Sequence, residues 1–290
     1  MESVASNLKI MAEEIQQDLV SLLFGKSSLK ERFPEPEHRI VTSFNHVWSP
    51  LDNEAKQLQG KLLESYRRFC AIGEVLVSGT PQESRQMFME SRAAILSIIE
   101  QENPTLFDTV HNAARDALDA LHQQIGVIDH LYSVSERKVL LVPDTNALFH
   151  NPKLESWRFP DAAQFIIVLV PSVLTELDYL EVSTKEAVRD KARRLVHQCK
   201  EFRRRGSLTA GVTLVTGVSE VLAIATEPDM GKSLSWLDHN NKDDRTLASV
   251  IEVMRLHPRS AVALVTADVN LQNKAEFARV PFIEPPDTGG

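Results

Sequence analysis

Lys138-Val-Leu-Leu-Val-Pro-Asp-Thr-Asn146 changes character halfway along. Lys138 to Pro143 is short, apolar and β-prone, and the chain then turns polar at Asp144. Three later runs share the apolar half of this pattern: Phe165-Ile-Ile-Val-Leu-Val170, Val212-Thr-Leu-Val-Thr216 and Ala261-Val-Ala-Leu-Val-Thr266, with Val280-Pro-Phe-Ile283 as a final edge strand. Helical stretches at 184–205 and 243–257 lie between them. Continuous apolar strands alternating with helices predict an α/β domain with a central parallel sheet covered on both faces.

In such a sheet the carboxyl ends of the strands share one edge, where ligands bind. Four acids fall near strand ends or helix starts: Asp144, Glu176, Asp244 and Asp268, with Asp243 beside the third. Each has an ordinary explanation. Asp144 suits a helix N-cap, Glu176 a solvated helix face, Asp243 and Asp244 the positive end of a helix dipole, and Asp268 a turn. Gathered at one edge, however, four carboxylates repel each other unless a cation neutralises them. Hard divalent cations take oxygen ligands, and Mg²⁺ typically binds one or two carboxylates, waters and substrate phosphate. This points to metal-dependent phosphodiester chemistry.

The amino-terminal part reads as helical throughout. Val4, Leu8, Met11, Ile15, Leu19 and Leu22 form one apolar stripe, and Leu51, Ala55, Leu58, Leu62, Tyr66 and Phe69 another. A breaker-rich loop, Arg32 to His38, separates them. Thr80-Pro81 predicts an N-cap followed by proline at the first helical position, opening a helix with Met87, Phe88, Ile95, Ile98 and Ile99. Asn103-Pro104 repeats the signal before a helix carrying Phe107, Val110, Ala114, Leu118, Leu121, Ile125 and Ile128 on one side. Four helices with short connections suggest a bundle or hairpin array. The expected division is an all-α domain at 1–135 and an α/β domain at 136–290.

Composition is that of ordinary globular material, 43% hydrophobic and 25% charged, and the net charge of −8 argues against nonspecific coating of nucleic acid. Two cysteines in different halves, Cys70 and Cys199, fit buried thiols in a reducing compartment. No apolar run of ~18 residues appears, so no membrane association is expected. No secretory signal is visible at the amino terminus, so the expected location is cytoplasmic.

The order of the motifs resembles the PIN-domain family of metal-dependent ribonucleases, over about residues 138–284. Asp144-Thr145-Asn146 follows the first strand, Glu176 lies in Val-Pro-Ser-Val-Leu-Thr-Glu-Leu, Asp244 opens Asp-Arg-Thr-Leu-Ala-Ser, and Asp268 stands in Thr266-Ala-Asp268. Asp244 is preferred to Asp243 because Leu247-Ala248 then falls at the family's usual offset. Asp268-Val-Asn-Leu-Gln-Asn-Lys-Ala is most similar to the branch containing RNA-surveillance endonucleases. The helical half matches no family.

The resemblance implies an endoribonuclease acting on single-stranded RNA, with Mg²⁺ or Mn²⁺ held by Asp144, Glu176, Asp244 and Asp268, and products bearing a 5′-phosphate and a 3′-hydroxyl. Thr145, Asn146, Asp243, Thr266 and Asn270 would orient carboxylates or water. For backbone contacts the sequence offers residues 183–205, where Lys185, Arg189, Lys191, Arg193, Arg194, Lys200, Arg203, Arg204 and Arg205 face only Glu186, Asp190 and Glu201. The same segment reads equally as a solvated amphipathic helix with Ala187, Leu195 and Phe202 inward. Trp236 and His239, in a 227–242 loop, are candidates for base stacking. The helical domain is a candidate surface for a protein partner or a homodimer. Rival readings are a phosphatase of the haloacid dehalogenase class, which needs a second Asp where Asn146 stands, a catalytically silent PIN-like scaffold, and a structure-specific DNA nuclease.

Overall fold

The computed structural model describes residues 3–32, 46–102, 105–136 and 138–287. Most of the breaker-rich loop before His38 and the Asn103-Pro104 start signal lie outside the described residues. The chain divides into two compact units, Leu8–His130 and Met1–Asn7 with Leu131–Gly290.

In the helical half, α1 (Val4–Lys26), α2 (Asn53–Val77), α3 (Gln82–Glu100) and α4 (Val110–Tyr132) follow the predicted stripes. Val4, Leu8, Met11, Ile15, Leu19 and Leu22 are all buried. Asp52 caps α2 by accepting from the Ala55 amide at 2.8 Å. One addition to the helical expectation is a two-stranded antiparallel sheet, β1 (Leu29–Glu31) with β2 (His46–Trp48). The start of α3 also falls one residue later than predicted. Thr80 does not cap α3; its amide and its hydroxyl both donate to the Val77 carbonyl, at 3.0 and 2.7 Å, at the end of α2. Pro81 then stands at the cap position without a side-chain bond. Met87 points outward while Phe88 is fully buried.

That burial depends on Gly73, because a Cβ there would stand 2.2 Å from the Phe88 ring. Gln124, fully buried in this core, is satisfied on both sides. Tyr66 donates to Gln124 Oε1 at 3.0 Å, and Gln124 donates to the Phe88 carbonyl at 3.1 Å.

The second unit is α/β. Its elements are β3 (Val139–Pro143), α5 (Thr145–His150), β4 (Phe165–Leu169), α6 (Pro171–Leu180), α7 (Glu186–Arg205), β5 (Val212–Val215), β6 (Ser219–Ala223), α8 (Lys242–Leu256), β7 (Val262–Val265), α9 (Val269–Phe277) and β8 (Phe282–Ile283). The six strands lie in the order β5-β6-β4-β3-β7-β8. All neighbours are parallel except β5 and β6. Every residue of β3 and β7 is buried, as expected for strands covered on both faces.

The strand that sequence patterning missed is β6. It follows β5 through a turn in which Gly217 adopts a φ of 73°, a left-handed conformation that glycine accepts without penalty. Its first residues, Ser219 and Glu220, are polar, and Glu220 pairs with Lys138 at 2.7 Å, so the apolar signal is diluted. Beneath the sheet, Trp157 is fully buried and donates from its indole nitrogen to the Asn151 carbonyl at 2.9 Å. It packs edge-on against Phe159, which does the same against Phe165 of β4.

Candidate active site at the carboxyl edge of the sheet

Strands β3 and β7 pair in register from Leu140 with Val262 to Pro143 with Val265. Their carboxyl ends are therefore level, and the chain leaves them side by side. The Asp144 amide continues the ladder by donating to the Val265 carbonyl at 3.1 Å. One residue past β7, Thr266 is fully buried and donates its hydroxyl to Asp144 Oδ2 at 2.6 Å. The same hydroxyl accepts from the Asp268 amide at 3.0 Å. Thr266 thus ties together the two acids that follow the central strands.

Each of those acids also caps a helix. Asp144 Oδ1 accepts from the Ala147 amide at 2.6 Å to start α5. Asp268 Oδ1 accepts from the Asn270 and Leu271 amides at 2.8 and 3.2 Å to start α9. Capping and site formation, offered by the sequence as alternatives, coexist here. In each case the bonds from backbone amides hold the carboxylate in one rotamer.

Helices α6 and α8 bring the remaining acids. Near their starts the two helices meet through Ser172 and Thr246, whose buried hydroxyls are 3.2 Å apart. Asn241 caps α8 by accepting from the Asp243 and Asp244 amides. Asp243 then faces α9, where Asn270 Nδ2 lies 3.5 Å from its Oδ2. Burial, followed by the nearby negative charges of Asp268 and Asp243, pushes the Asp144 carboxyl above the usual carboxylate range. Asp243 is pushed up by burial against the pull of Lys274, with Asp268 and Asp244 adding to the rise. Asp144, Asp243 and Asp268 therefore stand near enough for their negative charges to act on one another.

Asp244 and Glu176 are differently engaged. Asp244 is buried, with Oδ1 2.7 Å from the Lys274 ammonium and Oδ2 accepting from the Asp238 amide at 2.9 Å. Glu176 accepts from the Thr145 hydroxyl at 2.8 Å and pairs with Lys242 at 2.8 Å. Among the described residues, no three His, Cys, Asp or Glu side chains stand close enough to hold one metal ion. The four acids therefore do not form one such group as they stand here. Two of the four are turned toward lysines, and the other two are held by the helix amides they cap. The donor set itself, oxygen throughout, is that of a hard divalent cation.

Sequence reasoning gave Lys242 and Lys274 no role. Their signal was their place inside the acidic motifs, directly before Asp243 and six residues after Asp268. Of the other predicted residues, Thr145 is buried on Glu176 while Asn146 faces solvent. Trp236 is 40% exposed and packs edge-on against Phe277 of α9, and His239 lies exposed 3.6 Å from Asp238. A cavity of about 450 Å³ opens away from the acids, lined by Leu174, Arg203, Leu208 and Ile224 among others.

The basic segment is α7, and its inward face is Ala192, Leu195 and Phe202. Ala187 is exposed, contrary to expectation, because the helix begins only at Glu186 and its first turn lies off the core. Lys185, Arg193, Arg194, Lys200, Arg203 and Arg204 are exposed, and Arg189 is half-buried with a bond to the Ser183 carbonyl at 3.3 Å. Arg204 pairs with Glu201 within the helix.

The sequence model of the PIN domain matches residues 141–284. These residues are a PIN domain. The match starts in β3 and ends just beyond β8, so it covers the whole sheet apart from the first two residues of β3. The human transcriptional protein SWT1 is 30% identical over 172 residues, which are 56% of this chain and 18% of that protein. The chain thus corresponds to less than a fifth of that relative's length. PIN domains are in general nucleases, and this one carries its acids at the edge where the fold binds ligands. Among the described residues no helix is long and apolar enough to cross a membrane.

Proposed function

We propose that the PIN domain is a Mg²⁺- or Mn²⁺-dependent endonuclease that hydrolyses single-stranded RNA. The observation that carries the reading is the placement of Asp144 and Asp268 at the level ends of β3 and β7, joined through Thr266, with Asp243 of α8 held beside α9 by Asn270, in a domain of this family. Asp144 and Asp268 would hold the cation, with Asp243 or Asp244 and Glu176 completing the set directly or through water. A divalent cation bound there would activate water and offset charge in the transition state. Thr266 would keep Asp144 oriented, and Asn270 would steady Asp243. Attack in line with the leaving oxygen would yield a 5′-phosphate and a 3′-hydroxyl.

The decisive experiment is cleavage of a labelled single-stranded RNA with Mg²⁺ or Mn²⁺, with and without EDTA, beside a flap DNA of equal length. Metal-dependent cleavage of the RNA is expected. Cleavage that persists in EDTA would sink the metal mechanism, and preferred cutting of the flap would reassign the substrate to DNA. The pairing of Glu176 and Asp244 with lysines favours a second reading, a silent scaffold that binds RNA without cutting it. Binding with no cleavage under any metal would select that reading.

In this proposal α7 holds the RNA backbone. Replacing Arg193 and Arg194 by Glu should weaken RNA binding and lower its salt dependence by about one unit of slope per lost phosphate contact. Fluorescence anisotropy across a KCl series measures both. An unchanged affinity and slope would mean that α7 is simply a solvated face. The helical unit, which exposes Ile10, Val20, Met87 and Met89, is the proposed surface for a protein partner or a second copy. The reading places the protein in the cytoplasm, where Cys70 and Cys199, both free and with thiols pushed up to about 11 by burial, would stay reduced.

A further inference from the structure

Two ammonium groups reach the acidic edge, and they are not equivalent. The Lys242 side chain is 56% exposed, so its pairing with Glu176 is screened by solvent. Lys274 is 21% exposed and Asp244 only 8%, so their contact at 2.7 Å is shielded from water and salt. Lys274 also lies 4.0 Å from Asp243 Oδ2 and so stands between the two acids of the first turn of α8. Its own helix, α9, is capped by Asp268. A single short helix thus delivers one acid of the site at its start and a positive charge onto another acid near its end.

Asp244 has no idle oxygen, since Oδ1 is on Lys274 and Oδ2 is on the Asp238 amide. A divalent cation reaching Asp244 would stand within a few ångströms of the ammonium, and like charges at that separation in a buried site repel strongly. We propose that Lys274 is an internal counter-ion that occupies Asp244, and that a divalent cation engages Asp244 only by displacing it. This rests on the metal-dependent reading above. Lys274 is then a positioning residue. While paired, it keeps the first turn of α8 neutral and packed; on release, it hands Asp244 to the cation. Cation binding and the Lys274–Asp244 pair are linked, so a bound cation weakens the pair by the same factor by which the pair weakens cation binding.

Mn²⁺ binding to the full chain, measured by calorimetry without RNA, tests the proposal on wild type, Lys274→Gln and Lys274→Arg. Lys274→Gln should bind Mn²⁺ tighter, by roughly 5- to 150-fold, the usual range for coupled sites. Lys274→Arg, which keeps the positive charge, should stay near wild type. In the wild-type protein, mass spectrometry should show Lys274 becoming more reactive toward an amine-acylating reagent as Mn²⁺ is added. Unchanged or weaker binding by Lys274→Gln overturns the proposal while leaving the nuclease reading intact. If neither protein binds Mn²⁺, both fall. Should Lys274→Gln fail to fold, the acylation experiment decides alone, and reactivity that ignores Mn²⁺ rejects the displacement.

Discussion

The Asp144→Asn protein is expected to fold as wild type does and to lose RNA cleavage by about 10²-fold or more. Removing a residue that merely supports a metal ligand typically costs 10- to 100-fold, and a direct ligand should cost no less. Folding survives because the amide reproduces the carboxylate's shape and most of its bonds. Its oxygen can still accept from the Ala147 amide and so still cap α5. Its NH₂ would face Thr266, whose hydroxyl now donates to Asp144 and accepts from the Asp268 amide. A hydroxyl oxygen has two lone pairs, so Thr266 can accept from both, with its own proton turned aside. The buried Thr266 proton loses its acceptor, which offsets the relief of removing one of several neighbouring negative charges, so stability should change little. Circular dichroism, a melting curve and a single-turnover cleavage assay check these points together. An Asp144→Asn protein that cuts at the wild-type rate would remove Asp144 from the mechanism.

Trp157→Ala should destabilise the α/β unit by about 3–5 kcal/mol, the usual cost of deleting a large buried aromatic. The side chain is fully buried, and its removal opens a cavity beside Phe159 while leaving the Asn151 carbonyl without its indole donor. Asn151 ends α5, the helix that Asp144 caps, so the damage reaches the site through the backbone. Urea unfolding monitored by fluorescence would show it. A two-unit chain need not unfold in one step, and the loss should appear in the transition of the α/β unit alone. A change below about 1 kcal/mol would mean that the neighbourhood collapses onto the gap without cost.

Much of this architecture was legible because its signals are local. An apolar run ending in Pro143-Asp144-Thr145 is a buried strand followed by a helix cap, and both halves of that statement depend on neighbouring residues only. The same holds for the helix stripes, since burial of every third or fourth residue is written in the spacing of Val4, Leu8, Met11 and Ile15. Ser219–Ala223 was not legible because its strand character comes from pairing with β4 and β5, not from its own side chains. Thr80 and Pro81 misled by one residue because the carbonyl that claims the Thr80 hydroxyl belongs to the preceding helix.

The sequence by itself determined the kind of fold, the matched acidic motifs and the presence of a basic helix, all of which follow from side-chain type and short-range periodicity. Only the tertiary structure decided how the acids are used. The level ends of β3 and β7 place Thr266 between Asp144 and Asp268, a contact spanning more than a hundred residues that no local pattern encodes. Asp243 and Asp244 are adjacent in the chain and equally acidic, yet successive residues on a helix point about 100° apart. One therefore faces the other acids, and the other is buried against Lys274. Charge in a sequence is a sum; whether two charges meet a third carboxylate or an ammonium depends on direction, and direction is set by packing.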